Sequence, residues 1–281
     1  MTIHRLKCDG AKLTVYLDGP EWDGAATAAI GEFSCKEAEA GSALLAQALN
    51  LVRDAGRTRV IGPMAGDTWH SYRFVSDSDG SPPFLLEPTN KPHEPGVFHA
   101  AGFHPISRYF SARVSLDGPV TPDAPTSSNL TVTPWDGTDP DTLFRQVYAL
   151  SVDAFSNNAF YKPITEDAFL EMYRPVVPMM RPELVFFARR PDGSLAGFLF
   201  AIPNYAEGPK TQTVILKTYA SLERGAGRLL VAACNDTARA LGFRQMIHAL
   251  IHDDNQSAQR SAAEGAEIFR RYELLGLGLD G

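Results

Sequence analysis

Two stretches of this 281-residue chain hold residue types and spacings that can do chemistry. The first is Arg224-Gly225-Ala226-Gly227-Arg228, which follows the β-branched run Thr213–Ala220 and precedes a helical pattern. A strand that turns on glycine into a helix presents main-chain N–H groups, here those of Gly225, Ala226, Gly227 and Arg228, at the positive end of the helix dipole. Arg224 and Arg228 add side-chain charge, and a glycine lets a phosphate approach the backbone where a Cβ would hold it off. A Gly-x-Gly at a helix start is also a common bare turn, so its surroundings decide the reading.

The second stretch is Met246–His252, a strand carrying His248 and His252 and followed by Asp253 and Asp254. Two-residue alternation places His248, Leu250 and His252 on one face. An imidazole there acts as a general base near neutral pH, or else belongs to a polar face satisfied by its neighbours. A metal site from His248, His252 and Asp254 lacks a further ligand pair of matching geometry, so no metal is expected.

The elements that must position these residues can be read from pattern. Leu130–Thr133 alternates as a strand. Asp139-Pro140 caps and opens a helix through Leu143, Val147, Leu150 and Ala154, and a second helix starts near Thr165 and ends before Pro175. Pro191-Asp192-Gly193 turns a hairpin between Glu183–Ala188 and Leu195–Ala201. Leu230, Cys234, Ala238 and Leu241 mark one helical face, closed by Gly242 as a left-handed cap. A last helix is expected from Ser257 to Arg271, with Arg270-Arg271 on a solvated face. The order β-α-α-β-β-β-α-β-α is a mixed α/β pattern.

A Pro-, Ser- and Thr-rich run marks a linker at residues 117–128, dividing the chain into residues 1–116 and 129–281. In the first part, Gly31–Cys35 reads as a strand and Leu44, Ala48, Leu51 and Ala55 as a helical face. Gly56 ends that helix, and Arg59–Met64 forms a further strand. Arg53-Asp54-Ala55-Gly56-Arg57-Thr58-Arg59-Val60-Ile61 matches Arg239-Ala240-Leu241-Gly242-Phe243-Arg244-Gln245-Met246-Ile247 in Arg, Gly and Ile at equal offsets, which suggests an internal duplication. The run Gly66–Arg73 is rich in polar and aromatic groups; Asp67 reads as the N-cap of a helix, the alternative being that the run lines a cleft.

The formal charge of −7 disfavours nucleic acid as a partner. Cys8, Cys35 and Cys234 are odd in number, far apart and without metal spacing, so they read as small buried or half-exposed hydrophobes rather than a disulfide framework. The N-terminus lacks the apolar run of a signal peptide and no stretch approaches a membrane span, which reads as a soluble cytoplasmic protein. A Walker loop is excluded because no Gly-Lys-Ser/Thr follows the glycines, and the hairpin before the strand argues against a dinucleotide fold.

The run from Leu130 to Tyr272 resembles the GNAT superfamily of N-acetyltransferases. The resemblance rests on the element order, on Leu216-Lys217-Thr218-Tyr219-Ala220 followed by Arg224-Gly225-Ala226-Gly227-Arg228-Leu229-Leu230, and on Asn255 after the next strand. Residues 1–116 resemble a second, reduced copy, with Val97–Ala101 and Gly102-Phe103 similar to the family's last helix and strand entry. The implied architecture is a tandem of two α/β GNAT-like domains with mixed sheets.

The resemblance implies acetyl-CoA as cosubstrate and a primary amine as acceptor. It implies that Arg224–Arg228 hold the pyrophosphate, that Thr218, Tyr219 and Ala220 pair with the pantetheine arm through their main chain, and that Asn255 contacts the same arm. N–H groups of Tyr219 or Ala220 would polarise the thioester carbonyl, and Tyr161, in the family's acceptor-shaping segment, is a candidate substrate contact. Two positions depart from the pattern: Leu222 stands where the loop's leading Gln/Arg belongs, and Ala262 stands near the place of the tyrosine that often protonates the thiolate. The first copy has Glu37 and Glu39 where its loop should lie, so it is expected not to bind acyl-CoA. The readings are an N-acetyltransferase whose first domain helps shape the acceptor site, or a non-catalytic CoA-sensing or protein-binding module that kept the fold.

Overall fold

A computed structural model describes residues 2–117 and 129–279. The proposed linker 117–128 lies, apart from Asp117, outside the described residues. The chain forms two compact units, one of Met1–Phe110, Asn158–Lys162 and Phe269–Gly281, the other of Ser111–Asn157 and Pro163–Ile268. The division differs from 1–116 and 129–281 in three places: Ser111–Leu116 join unit 2, while Asn158–Lys162 and Phe269–Gly281 join unit 1.

Unit 1 opens with a hairpin of β1 (Ile3–Cys8) and β2 (Ala11–Tyr16), turned by Asp9-Gly10 with Gly10 at φ +86°. Such a two-residue turn needs the left-handed conformation that glycine adopts without strain. β2 pairs antiparallel with β3 (Thr27–Cys35), and after α1 (Ala38–Asp54) the chain returns as β4 (Arg59–Gly62), parallel to β3. The helix buries Leu44, Leu45, Ala48, Leu49 and Val52, a face rotated slightly from the expected one because Leu51 is half-buried and Ala55 exposed. β5 (Phe74–Ser78), α2 (Glu94–Ala100) and β6 (His104–Ser115) follow.

Asp67 caps no helix. Its Oδ1 accepts from the N–H groups of Trp69 and His70, closing an irregular loop between β4 and β5. The expected helix fails because residues 65–71 are tied across their own ends, Ala65 N–H to Ser71 O and Arg73 N–H to Pro63 O.

Unit 2 contains β7 (Thr131–Pro134), α3 (Pro140–Phe155), α4 (Glu166–Tyr173), β8 (Val185–Arg189), β9 (Leu195–Pro203), β10 (Thr213–Ser221), α5 (Ala226–Ala240), β11 (Gln245–His252) and α6 (Gln256–Ala263). The caps read from sequence are in place: Asp139 accepts from Thr142 N–H and Thr165 from Ala168 N–H. Strand order runs β11-β10-β9-β8-β7, with only the β10–β11 pair parallel. α5 buries Ala226, Leu230, Cys234 and Ala238 against Leu199, Ala201, Val214, Leu216 and Met246.

The last helix is shorter than expected. α6 stops at Ala263, and Glu267–Gly278 is a strand, β12, whose residues from Arg270 on pair with β5 and β4 in unit 1. Arg270 is accordingly no surface charge: its side chain is 3% exposed and bonds Glu87, which is 0% exposed. A guanidinium enters a core only where acceptors receive it, and the Glu87 carboxylate, the Ser78 hydroxyl and the Ser81 carbonyl supply them here.

The duplication is visible in the register. Thr27↔Arg59, Ala28↔Val60 and Ala29↔Ile61 pair in parallel, as do Thr213↔Gln245, Val214↔Met246 and Ile215↔Ile247 at one constant offset. The helix ends match at the same offset: Gly56 and Gly242 are both left-handed, and Arg57 and Phe243 donate N–H to Val52 and Ala238 carbonyls respectively.

Candidate active site in unit 2

The strand that leads to the glycine turn changes partners along its length. β10 pairs in parallel with β11 from Thr213↔Gln245 to Leu216↔His248, then continues against β9 alone to Ser221↔Gly197. The change falls at a β-bulge, where Lys217 is the extra residue between Leu216↔Ala201 and Thr218↔Phe200. A bulge bends its strand and increases local twist, so Thr218, Tyr219 and Ala220 lie on a segment whose pairing with β11 has ended. β11 is distorted in turn: Leu250 has φ +58° and gives its N–H to Ser111 Oγ.

The turn beyond β10 is held from both sides. Ser221 Oγ donates to Glu223 O, Leu222 N–H donates to Ala196 O, and the Glu223 carboxylate pairs with Arg190 at 2.8 Å. Gly225 caps α5 with φ +96° and ψ −28°, a conformation that disfavours any Cβ. Of the four amides expected to face outward, two are engaged within the turn: Ala226 N–H bonds Glu223 O, and Arg228 N–H bonds Gly225 O. The N–H groups of Gly225 and Gly227 take no protein acceptor among the described residues. Arg224 and Arg228 are exposed beside them.

Gly227 is buried, and its cover comes from α6. A Cβ at Gly227 would stand 3.1 Å from an Nη of Arg260 and 3.3 Å from the ring of Tyr219. Arg260 donates to the Tyr219 hydroxyl at 3.3 Å, and that hydroxyl shares a 2.6 Å hydrogen bond with Ser257 Oγ. Sequence reasoning missed Arg260 and Ser257, because only the fold carries α6 across to Tyr219. Ser257 and Ser261, one turn apart on the helix, reach β10 and β11 respectively.

His248 is not disposed as a base. His248 is 6% exposed, bonds Ser261 Oγ through Nδ1 at 2.9 Å, and keeps Nε2 3.7 Å from Glu264. Burial pushes its pKa down to about 4, so it is neutral and weakly basic at pH 7. Burial also raises the Glu264 carboxyl, against the opposing charges of Arg239 and Arg260. His252 accepts the Asp254 N–H through Nδ1 and so closes the turn into α6. The positive φ at Leu250 breaks the alternation that would have set His248 and His252 on one face.

Asn255 is the N-cap of α6, its side-chain oxygen accepting from Ser257 N–H. Leu222 is 43% exposed, and Ala262 is exposed next to the buried Ser261. Tyr161 belongs to unit 1, where its ring stands edge-on to Trp69. Among the described residues no group of three or more His, Cys, Asp or Glu side chains is arranged to hold a metal, and no helix is long and apolar enough to cross a membrane. The cysteines are free, with Cys35 and Cys234 buried.

No protein-family model and no curated protein matches the chain. Solved structures do. A GCN5-related N-acetyltransferase from Sphaerobacter thermophilus superposes with a TM-score of 0.57 at 14% identity, over 97% of this chain and 78% of that one. A tandem GNAT protein from the clavulanic acid biosynthesis pathway, solved without AcCoA, gives 0.54 at 16% identity over 97% and 80%. The glucosamine N-acetyltransferase region of a fungal multi-domain GH3 β-N-acetylglucosaminidase gives 0.57 at 13% identity, over 95% of this chain and 31% of that one. The chain therefore has the fold of the GCN5-related N-acetyltransferases along nearly its whole length.

Proposed function

We propose that unit 2 binds acetyl-CoA and transfers its acetyl group directly to a primary amine. The observation that carries this reading is the junction of bulged β10, left-handed Gly225 and the start of α5. The residues fit the cosubstrate. Gly225 and Gly227 offer amides without a protein acceptor among the described residues, Arg224 and Arg228 offer exposed cations, and the space a Cβ would fill at Gly227 is bordered by the guanidinium end of the Arg260 side chain. Arg260 adds a third cation to a turn whose one carboxylate, Glu223, is already paired with Arg190. Backbone of Thr218, Tyr219 and Ala220 is the segment that would run beside the pantetheine arm.

The thioester supplies an activated acetyl group, and the chain supplies orientation and a proton donor. With Ala262 unable to donate, the Tyr219 hydroxyl takes that part in our reading: as the amine nitrogen bonds the carbonyl carbon and the C–S bond breaks, it would give its proton to the thiolate beside Arg260, and the proton lost by the acylated nitrogen would restore the phenol. Isothermal titration of the full chain with acetyl-CoA tests binding. No heat at about millimolar cosubstrate, or unchanged affinity in Gly225→Glu, removes the proposal.

The second reading is a CoA-binding module without turnover. It is favoured by the histidines, one held neutral by burial and the other tied into a turn. Slow thioester hydrolysis with no acceptor in a broad amine screen would select it.

A further inference from the structure

The inner face of α6 is polar where a helix that only packs would be apolar. Ser257, Arg260 and Ser261, with Glu264 at the C-cap, follow one another at helical spacing, and the first three reach β10 or β11. Unit 1 holds the matching helix. α2 and α6 end alike, at left-handed Gly102 and Gly265, with Phe103 and Ala266 donating N–H to the Phe98 and Ser261 carbonyls. In that register Glu94, Val97 and Phe98 stand where unit 2 has Ser257, Arg260 and Ser261. Val97 and Phe98 are 2% and 0% exposed, so apolar side chains are enough to seat such a helix. Glu94 accepts from the Cys35 and Lys91 N–H groups, and the ring matching Tyr219 is Phe33, which has no hydroxyl.

The polar face of α6 meets one oxygen of β10 twice. Ser257 Oγ lies 2.6 Å from Tyr219 Oη, and an Nη of Arg260 lies 3.3 Å from it. A guanidinium has no acceptor, so Oη accepts from Arg260. A serine hydroxyl rotates and can accept or donate, so the Ser257 bond runs in either direction. Ser257 is held in place by its main chain, whose N–H goes to Asn255 Oδ1 at 3.0 Å, and its Oγ has no second protein partner among the described residues. Tyr219 and Ser257 are both half-buried.

Given acyl transfer by unit 2, on which this rests, we infer that Ser257 is a positioning residue for the Tyr219 proton, accepting from the phenol at rest and donating to its oxygen once the proton has gone. The amine nitrogen bonds the carbonyl carbon, the C–S electron pair goes to sulfur, and sulfur takes the proton from Oη. The charge left on Oη then meets two donors, Ser257 O–H and Arg260 N–H, in charge-assisted bonds stronger than those to the neutral phenol. The proton lost by the acylated nitrogen restores the phenol, and the Ser257 hydroxyl turns back. Ser257→Ala leaves Arg260 alone on that charge and keeps the main-chain bond to Asn255, whereas Ser257→Thr keeps the hydroxyl.

The test uses the full chain with carbon-13 at tyrosine Cζ, the Tyr219 signal being assigned by its loss in Tyr219→Phe. Ser257→Ala should move that NMR signal, and Ser257→Thr should return it. Thiol release from acetyl-CoA, with water or any amine as acceptor, reads the consequence. Ser257→Ala should lower kcat by about tenfold or more, as loss of a hydrogen bond to a charged group does, with KM for acetyl-CoA unchanged. Ser257→Thr should recover most of the loss, and Ser257→Ala should cost nothing further in the Tyr219→Phe background. An unmoved Tyr219 signal, an unchanged kcat, a loss that falls on KM, or equal losses in the two backgrounds overturns the inference. A native chain that binds no acetyl-CoA by calorimetry, or releases no thiol, removes the transfer reading itself. One that does both while Ser257→Ala matches it removes only the part given to Ser257.

Discussion

Replacing Arg270 by Met should destabilise the protein by about 3–5 kcal/mol, the cost of leaving one partner of a buried ion pair alone. The side chains of Arg270 and Glu87 are 3% and 0% exposed. Arg270 reaches Glu87 Oε2 and Ser81 O at 2.5 Å, and Ser78 Oγ at 3.1 Å. At an effective dielectric near 20, two charges ~4 Å apart attract by about 4 kcal/mol. The variant forfeits that attraction while the Glu87 carboxylate stays desolvated. Glu87 keeps two donors, Phe84 N–H at 2.9 Å and the Tyr272 hydroxyl, which places the loss toward the lower end of the range. Urea unfolding measures it. Glu87→Gln in the Arg270→Met background removes the stranded charge but keeps an acceptor, and should recover at least about half of the loss. A single-variant loss below about 1 kcal/mol, or a double variant no better than the single, would refute the argument that the pair is buried and coupled.

Other expectations follow from the same geometry. His248 is held at about 4, below its unfolded value, so the stability it contributes is present above pH 6.5 and lost as pH falls toward 4, by up to about 3 kcal/mol. His248→Gln should flatten the acid limb of the stability curve across that window, and an unchanged limb would contradict burial of a neutral ring. In the folded chain a thiol reagent should label Cys8 quickly and leave Cys35 and Cys234, because burial raises both thiols and pushes Cys234 up to about 12; three fast thiols would count against it. Tyr219→Phe should lower kcat by about a hundredfold with little change in KM, as loss of a proton donor does, and a pure KM effect would assign Tyr219 to binding alone. Calorimetry should give one CoA per chain, two being incompatible with the acidic start of α1.

Much of unit 2 was legible because its signals are local. Asp139 and Thr165 cap the helices that their sequence context announces, and Pro191-Asp192-Gly193 turns the hairpin it should. What escaped depends on distant partners. The Asp9-Gly10 hairpin carries a local signal but buries only alternate half-exposed residues on β1, which makes its apolar pattern faint. Arg270-Arg271 resembles a solvated helical pair until Glu87, far away in sequence, is folded against it. At the candidate site, the strand–glycine turn–helix junction was legible and the residues packed around it were not. Strand alternation fails where Leu250 turns left-handed, and Arg260 gains its place only from the packing of α6.

The two copies show which part of this arrangement is architecture and which part is site. At the offset that aligns β3 with β10, Phe33 matches Tyr219 and Gly41 matches Gly227. In each copy the aromatic ring packs on the helix glycine, within 3.1 Å of a Cβ built at Gly41 and 3.3 Å of one built at Gly227. That contact is therefore a way of seating a helix on a strand and needs no ligand to explain it. The differences lie around it. Unit 1 fills the neighbouring space with Cys35 Sγ, 2.8 Å from the same Cβ, where unit 2 has the Arg260 guanidinium. At the same offset Ala38 and Glu39 of unit 1 stand where unit 2 has Arg224 and left-handed Gly225, while Glu37 matches Glu223, an acid in both. A phenol in place of a phenyl ring, a guanidinium in place of a thiol, and Gly225 in place of Glu39 all change the same corner toward holding an anion. One of these alone would be neutral drift; together, on a framework the other copy shows to be stable without them, they argue for a ligand.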